Sequence, residues 1–240
     1  MTTVIDHTKS NETPPSLYEG RKQIYPKLAH GKFRMVKWIV MAVTLGIYYV
    51  LPWIRWPRGE GIPDQAVLAD FDGEKFYFFW FEIWPQELYY LAGLLIIGAL
   101  GLFLVTSLFG RAWCGYTCPQ TVWTDLYIWV ERAFEGDRAA RMRLDAQPWS
   151  FNKAWRKIGK HIIWLVIAFW TGGAFVLYWH DAPTVAKGWF TGEAPLTAYF
   201  FAGILTFTTY FLAGWMREQV CIYMCPYARF QSAMFDPSTT

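Results

Sequence analysis

Charged residues are almost absent from four long stretches of this 240-residue chain, and their absence excludes an ordinary soluble domain. Charged residues make up only 17% of the sequence, whereas 54% is hydrophobic and 20% aromatic. A helix that crosses the ~30 Å hydrocarbon layer of a bilayer needs roughly 17–25 apolar residues, and core helices of soluble enzymes rarely run that long without a charge. The sequence therefore predicts an all-α integral membrane protein with four transmembrane helices at residues 38–56, 88–109, 162–179 and 196–216.

The first thirty residues lack the apolar core of a secretory signal, which excludes a cleavable signal peptide. The first apolar run is therefore expected to remain as an anchor. Residues 1–37 are interpreted as a cytoplasmic N-terminal arm, and residues 38–240 as a four-helix membrane domain.

Lysine and arginine are nearly missing from two of the loops, and this asymmetry predicts the orientation. The arm, the central loop 110–161 and the tail together carry eighteen basic residues, whereas loops 54–87 and 180–195 carry four. Basic loops stay on the cytoplasmic side of a membrane. Both termini and the central loop are therefore predicted to be cytoplasmic. The net charge of +3 is accounted for by this basic face and indicates no nucleic-acid partner.

Cysteine is rare, and all of it lies in two matched motifs. Cys114 and Cys118 form C-x-Y-x-C-P, and Cys221 and Cys225 repeat it with the same internal spacing near the end of the sequence. Each motif follows an apolar run that returns to the cytoplasmic side. The chain is thus interpreted as two helix-hairpin repeats, each followed by a cytoplasmic C-x3-C-P motif, and sites commonly form where such repeats meet.

The expected compartment excludes structural disulfides, because cytosolic thiols are kept reduced. Proline is favoured as the first residue of a helix, so Cys118 and Cys225 are predicted at helix N-caps, where the helix dipole favours the metal-binding thiolate. Four thiolates suit an iron–sulfur cluster, tetrahedral zinc or Cu(I). We expect one metal site with all four cysteines as ligands. Two separate Cu(I) sites, a thiol–disulfide relay, a zinc or thiol clamp and inert packing remain open.

Other candidate site residues lie near the motifs. Tyr116 and Tyr223 share one motif position and could tune a cluster from outside its ligands, and Arg111 and Arg217 add positive charge. Met216 and Met224 are candidate copper ligands, because thioethers bind Cu(I). The chain has no paired histidines for a haem and no Walker loop, dinucleotide fingerprint or hydrolase elbow, so no catalytic residue is assigned.

The loops carry weaker signals. Residues 120–135 show apolar positions on one helical face, which predicts an amphipathic helix on the inner membrane surface with Asp125, Glu131, Arg132 and Glu135 on its polar side. The basic segment after it is expected to be solvated. The aromatic stretch FYFFWFEIWPQE in loop 54–87 is interpreted as an interfacial belt.

The two motif stretches, WCGYTCPQTVWTDLYIWVERAFEGDR and CIYMCPYARFQSAMFD, resemble the CcoG family, also called FixG or RdxA. The chain is also similar to NapH- and NosR-type membrane proteins that carry C-x3-C-P motifs. The resemblance implies a protein of the bacterial inner membrane with a 4Fe-4S cluster, which assists biogenesis of the copper-containing cbb-type cytochrome c oxidase by reducing Cu(II) to Cu(I). A non-enzymatic Cu(I)-binding scaffold or carrier is the alternative.

Family members usually continue past the second motif into a ferredoxin-like segment, which this sequence does not contain. The resemblance therefore implies that such a segment, or a ferredoxin-like partner, would act together with this chain. It also implies contacts with oxidase assembly factors or copper chaperones.

Overall fold

The computed structural model describes residues 24–27, 30–59, 61–71 and 73–233, and helices dominate them. Most of the predicted arm (residues 1–23, 28 and 29) and residues 234–240 lie outside the described residues. In chain order the helices are α1 Lys32–Val50, α2 Leu88–Phe109, α3 Ala112–Tyr116, α4 Pro119–Glu135, α5 Arg138–Ala146, α6 Phe151–Val176, α7 Ala182–Thr191, α8 Leu196–Thr209, α9 Arg217–Gln219 and α10 Pro226–Ala233.

Four helical segments are long and apolar enough to cross a membrane, so this is a membrane protein. They are Lys32–Trp53, Pro85–Phe109, Phe151–Val176 and Leu196–Trp215. The first residues of two of these helices differ from the first residues of the predicted apolar runs. Helix α1 begins six residues before the first run, and α6 begins eleven residues before the third. Helix α6 is thus about 39 Å long at 1.5 Å per residue, and its first turns extend beyond the hydrocarbon layer.

Helices α6 and α8 form the closest helix pair of the membrane domain. A Cβ atom added to Gly172 would lie 2.8 Å from the backbone nitrogen of Thr206, so only glycine allows this approach. Small residues at such contacts are typical of membrane helices. A buried apolar cluster continues this packing toward the C-terminal end of α6 and comprises Val176, Leu177, Ala182, Val185, Ala198 and Ala202.

The prediction of an all-α fold was wrong for residues 67–83, which form a three-stranded antiparallel sheet. Strands β1 Val67–Asp70, β2 Lys75–Phe78 and β3 Phe81–Ile83 pair in that order, with Val67 opposite Phe78 and Phe76 opposite Ile83. The sequence contained a signal for it, because an Asp-Gly dipeptide between two runs rich in β-formers is a hairpin signature. The aromatic residues interpreted as an interfacial belt supply β2 and β3.

Two polar side chains, Arg58 and Gln65, hold the sheet region together and attach it to the helices. The Arg58 guanidinium donates to four backbone carbonyls, among them those of Gln65 at 2.6 Å and Phe79 at 2.8 Å. Gln65 is fully buried; its amide donates to the Leu177 carbonyl at 2.7 Å and accepts from the Ala182 backbone N–H at 3.0 Å. Because the buried Gln65 amide would be costly to leave unpaired, its bonds fix the sheet region against the C-terminal end of α6 and the start of α7.

Helix α4 covers the range of the predicted amphipathic helix, but it does not lie as a free helix on a membrane surface. Asp125 pairs with Arg34 at 2.8 Å and with Lys37 at 3.4 Å, both from α1. Tyr127 and Trp164 exchange hydrogen bonds between their side chains and each other's carbonyls at 3.1 and 3.2 Å. Helix α4 is therefore packed against α1 on one side and α6 on the other.

Candidate metal centre

The first cysteine motif joins a short helix to a long one. Cys114 lies in α3, and Cys118 has an extended backbone (φ −56°, ψ 127°) at the N-cap of α4, whose first residue is Pro119. This placement is the one that the Cys-Pro order predicts. The Cys118 backbone N–H donates to the Trp113 carbonyl at 3.0 Å, and the Thr121 hydroxyl donates to the Cys114 carbonyl at 2.6 Å. These bonds hold the two cysteines on one tight turn.

The second motif lies in a wider helical backbone that the sequence did not predict. Helix α8 continues as a π-helix over Tyr210–Trp215, and a second π-helical segment, Val220–Met224, contains Cys221. Cys225 again has an extended backbone (φ −83°, ψ 110°), and Pro226 begins α10. The Cys225 N–H donates to the Val220 carbonyl at 2.8 Å. π-Helical turns are rare and frequently mark functional sites.

The same backbone hydrogen bond forms within each of the two motifs. In each, the N–H of the second cysteine reaches the carbonyl five residues earlier, at 3.0 Å from Cys118 to Trp113 and 2.8 Å from Cys225 to Val220. Trp113 and Val220 each stand immediately before the first cysteine of their motif. The matched spacing in the sequence therefore corresponds to a matched local fold.

Each motif helix also contacts the chain that leads into the other motif. The Gln120 amide of α4 donates to the carbonyls of Leu212 at 3.0 Å and Arg217 at 3.3 Å. In α10, the Tyr227 hydroxyl is hydrogen-bonded to the Thr106 hydroxyl of α2. Gln120 and Tyr227 occupy equivalent positions, because each directly follows the proline of its motif. These reciprocal contacts join the helix that follows each motif to the segment that precedes the other motif.

Cysteines of both motifs affect the pKa of Cys114 and of Cys221. Burial raises the pKa of Cys114, and the charges of Cys118, Cys225 and Cys221 raise it further, whereas Arg111 lowers it. Burial likewise raises the pKa of Cys221, with added effects of Cys118, Cys225 and Glu218. Thiols from distant parts of the chain therefore share one electrostatic neighbourhood. Cys221 is exposed, and the other three are half-buried and reduced.

The donor set fits an iron–sulfur cluster. Four cysteine thiolates are the ligand set of a [4Fe–4S] centre, and bound iron would offset the burial and the mutual repulsion that raise the pKa of Cys114 and Cys221. Among the described residues, no three histidine, cysteine, aspartate or glutamate side chains are arranged around the position of one metal ion.

The other residues singled out in the sequence differ in placement. Arg111 acts on Cys114 through its charge. Arg217, in contrast, is buried and binds Glu131 through two hydrogen bonds, at 3.0 and 2.7 Å. Tyr223 and Met224 are exposed, and Tyr116 and Met216 are half-buried. Their roles toward a cluster or copper stay predictions.

The acidic residues in the last turns of α4 are buried, and the expectation of a solvated segment after α4 was wrong for Arg141. Glu131 and Glu135 are 2% and 1% exposed, and Arg141 of α5, in the segment expected to be solvated, is 1% exposed. The carboxylates are buried because cations surround them: Arg141 lies 2.6 Å and Arg217 2.7 Å from Glu131, and Lys160 lies 2.8 Å from Glu135. Burial raises the pKa of Glu131, but hydrogen bonds and charge from Arg217, with Arg141 and Lys160, outweigh it and lower the pKa.

Two family models match the chain where the cysteines lie. A model described as "4Fe-4S binding domain" covers residues 91–135, and one described as "4Fe-4S dicluster domain" covers residues 216–240. The first range holds Cys114 and Cys118, and the second holds Cys221 and Cys225. Both pairs thus fall within regions similar to iron–sulfur proteins.

Three curated relatives match nearly the whole chain. "Nitrogen fixation protein FixG" of Rhizobium meliloti (strain 1021) is 58% identical over 93% of this chain and 43% of its own length. From Cereibacter sphaeroides, "Protein RdxB" is 53% identical over 97% of the chain and 49% of its own length, and "Protein RdxA" is 52% identical over 93% and 48%. The chain thus spans less than half the length of these relatives. No solved structure matches it. Over the region that it spans, this chain is similar to the FixG, RdxB and RdxA proteins, as its sequence resemblance predicted.

Proposed function

We propose that Cys114, Cys118, Cys221 and Cys225 together bind one 4Fe-4S cluster and that the chain is a membrane-bound electron-transfer protein. The observation that carries the proposal is the pair of reciprocal contacts in which Gln120 and Tyr227, each next to the proline of its motif, bind the chain that leads into the other motif. Both 4Fe-4S domain matches support it, because each contains one cysteine pair. When bound, such a cluster transfers electrons one at a time. The chain itself supplies four thiolates, holds Cys118 and Cys225 at the starts of helices, and partly shields three of the sulfurs from solvent.

We propose that the two halves are related repeats and that both motifs face the cytoplasm at the bacterial inner membrane. The shared backbone bond and the reciprocal contacts of Gln120 and Tyr227 support the repeat. The eighteen-to-four division of basic residues supports the orientation, with both termini inside.

The substrate that we propose is copper. In each turnover one electron from an external reductant reaches the cysteine centre and reduces one Cu(II) to Cu(I), in support of cbb-type cytochrome c oxidase assembly. Oxidase assembly factors or copper chaperones would then receive Cu(I). A ferredoxin-like segment or partner would supply the electron. These roles rest on the family resemblance, and the chain contributes the redox centre.

The test begins with oxygen-free purification in detergent. We expect about four iron and four sulfide per chain, since a [4Fe–4S] centre takes four cysteine ligands, and a visible band that bleaches with dithionite. The reduced protein should convert Cu(II) to Cu(I), detected with a Cu(I)-specific chelating dye. Cys118→Ser and Cys225→Ser should each lose iron and copper reduction together. An iron-free wild-type protein, or serine variants that keep reductase activity, would contradict the proposal.

A second candidate is a Cu(I) carrier that performs no redox step. The exposure of both Cys221 and Met224 favours it, because these soft ligands are accessible at the second motif. It predicts stoichiometric Cu(I) binding by iron-free protein and no dithionite-dependent Cu(II) reduction. The metal content and the reductase assay therefore distinguish the two functions.

A further inference from the structure

One buried ion pair links the two cysteine motifs without involving a cysteine. Arg217 lies four residues before Cys221, and its guanidinium is 8% exposed. Both of its terminal nitrogens donate to the two carboxylate oxygens of Glu131, at 3.0 and 2.7 Å. Such a bidentate pair fixes orientation as well as distance. Glu131 belongs to α4, the helix that begins immediately after Cys118.

The pair is asymmetric within the repeat. The position equivalent to Arg217 in the first half is Gly110, which precedes Cys114 by the same interval and has no side chain to form such a bond. The first motif has three turn bonds of its own, from Cys118, Thr117 and Thr121. The second motif lies on a π-helical segment preceded by a three-residue helix. The ionic contact thus supports the motif whose backbone is less regular.

Arg217 is also bound through its backbone carbonyl. The Gln120 amide, also on α4, donates to the Arg217 carbonyl at 3.3 Å. Helix α4 therefore holds Arg217 by its main chain and by its guanidinium. Arg141 and Lys160, at 2.6 and 3.6 Å from Glu131, fix the carboxylate in turn.

We propose that Glu131 is a positioning residue for the cysteine centre: by holding Arg217 against α4, it sets the separation of the two cysteine pairs. This inference rests on the proposed function, because the separation matters when all four sulfurs serve one cluster. Residues that orient metal ligands from outside affect metal binding by about 10–100-fold.

The chain offers a matched control in Glu135. It lies one turn further on α4, is equally buried, and pairs with Arg141, Lys157 and Lys160 but has no contact with Arg217 among the described residues. Glu131→Gln and Glu135→Gln each remove one buried negative charge from one cluster of side chains. Only the first variant changes the contact with the second motif. Arg217→Lys keeps the positive charge and loses the bidentate geometry.

The experiment compares these three variants with wild-type protein in detergent. We expect Glu131→Gln and Arg217→Lys to release iron to a chelator about 10-fold faster and to alter the electron paramagnetic resonance line shape of the reduced protein. Glu135→Gln should lower the unfolding temperature while leaving both properties near wild type. Equal iron release from Glu131→Gln and Glu135→Gln, or an unchanged signal in Arg217→Lys, would overturn the proposal.

A metal-free measurement separates this proposal from the proposed function. In a background with Cys118→Ser and Cys225→Ser, a short bifunctional thiol reagent can join Cys114 to Cys221. We expect slower joining in Glu131→Gln and Arg217→Lys and no change in Glu135→Gln. If the wild-type chain bound no iron and this difference persisted, the cluster would be rejected and the positioning role would stand. If all variants reacted alike, the positioning role would be rejected.

Discussion

At the scale of single residues, the side chains that join the halves are polar and few. Gln120 places one amide between two carbonyls of the opposite half, at 3.0 and 3.3 Å. A sequence pattern could not identify this role, because the partners lie far away along the chain. What the sequence did indicate was local: Cys-Pro predicted the helix start at Cys118.

Replacing Gln120 by methionine keeps the length of the side chain and removes its donor. We expect the variant to lose iron to a chelator about 10-fold faster than wild type, as for other contacts that support metal ligands indirectly. The measurement is the rate of iron release from anaerobic protein. Gln147→Met is the matched control, because this glutamine is exposed beyond the end of α5. Equal rates in the two variants would show that Gln120 does not support the site.

The buried carboxylates show why a residue pattern can mislead. Glu131 and Glu135 lie on the polar side of an amphipathic helix, and that pattern is the same for a solvated face and for a face covered by cations. In this chain the face is covered, because four cations from three other helices surround the carboxylates: Arg141, Lys157, Lys160 and Arg217. Their convergence depends on tertiary packing, which one helix does not encode.

At the scale of elements, the four long apolar helices could be predicted because their length and lack of charge are local properties. The sheet and the π-helical turns could not be predicted with the same ease. An aromatic strand and an interfacial aromatic belt have similar compositions, and a π-turn changes hydrogen bonding without a clear residue signature. Helix packing depends on where small residues face each other.

Gly172→Ala tests the contact between α6 and α8. The added methyl group would meet the Thr206 backbone, which cannot move aside as a side chain can, and overpacking of this kind costs about 1–3 kcal/mol. We expect a lower unfolding temperature in detergent. Gly98→Ala in α2 is the control, since a Cβ there meets nothing within 4 Å. A loss of similar size in both variants would indicate a general effect of alanine and not a close helix contact.

Asp181 provides a pH-dependent test at the start of α7. It accepts hydrogen bonds from the Thr184 backbone and hydroxyl and pairs with Arg55 at 2.8 Å. Burial raises its pKa, but these partners outweigh it and lower the pKa. Its contribution is therefore fully present above about pH 4, the ordinary aspartate pKa, and is lost as the pH falls through the lower folded-state value.

Asp181→Ala should lower the free energy of unfolding at pH 7 by about 1 kcal/mol, the usual worth of an N-cap, since a partly exposed ion pair adds little. The difference from wild type should shrink as the pH falls below about 4. Unfolding curves in detergent between pH 3 and 7 measure both effects. Asp64→Ala, at an exposed aspartate before β1 that caps no helix, should be neutral. A deficit independent of pH would mean that the carboxylate charge is not responsible.

At the scale of the whole molecule, the chain places its sheet at one end of the long helices and its cysteines at the other. Helix α1 leads into the strand region, and α2 returns to the turn that begins the first motif. In the second half, the residues just after α6 accept hydrogen bonds from Gln65 and Ala69, and α8 leads toward the second motif. A bilayer around these helices would therefore separate the sheet from both motifs.

Single introduced cysteines test this arrangement in a cysteine-free chain. A membrane-impermeant maleimide should label Lys75→Cys, on β2, in cells with a permeabilised outer membrane. Arg143→Cys, on α5, should react only after the inner membrane is opened. Labelling of Arg143→Cys alone in intact spheroplasts would indicate the reverse orientation. Labelling of both sites would show that they do not lie on opposite sides of the membrane.

The reciprocal contacts of Gln120 and Tyr227 have one more consequence. In the proposed four-cysteine site neither half can complete the ligand set by itself, because each carries two of the cysteines, and these contacts hold the halves together. If one peptide bond between α5 and α6 were cut, each of the two fragments would retain two cysteines and one partner of each reciprocal contact. Iron binding would then require the two fragments to associate. Cofactor insertion would therefore depend on correct assembly of the halves.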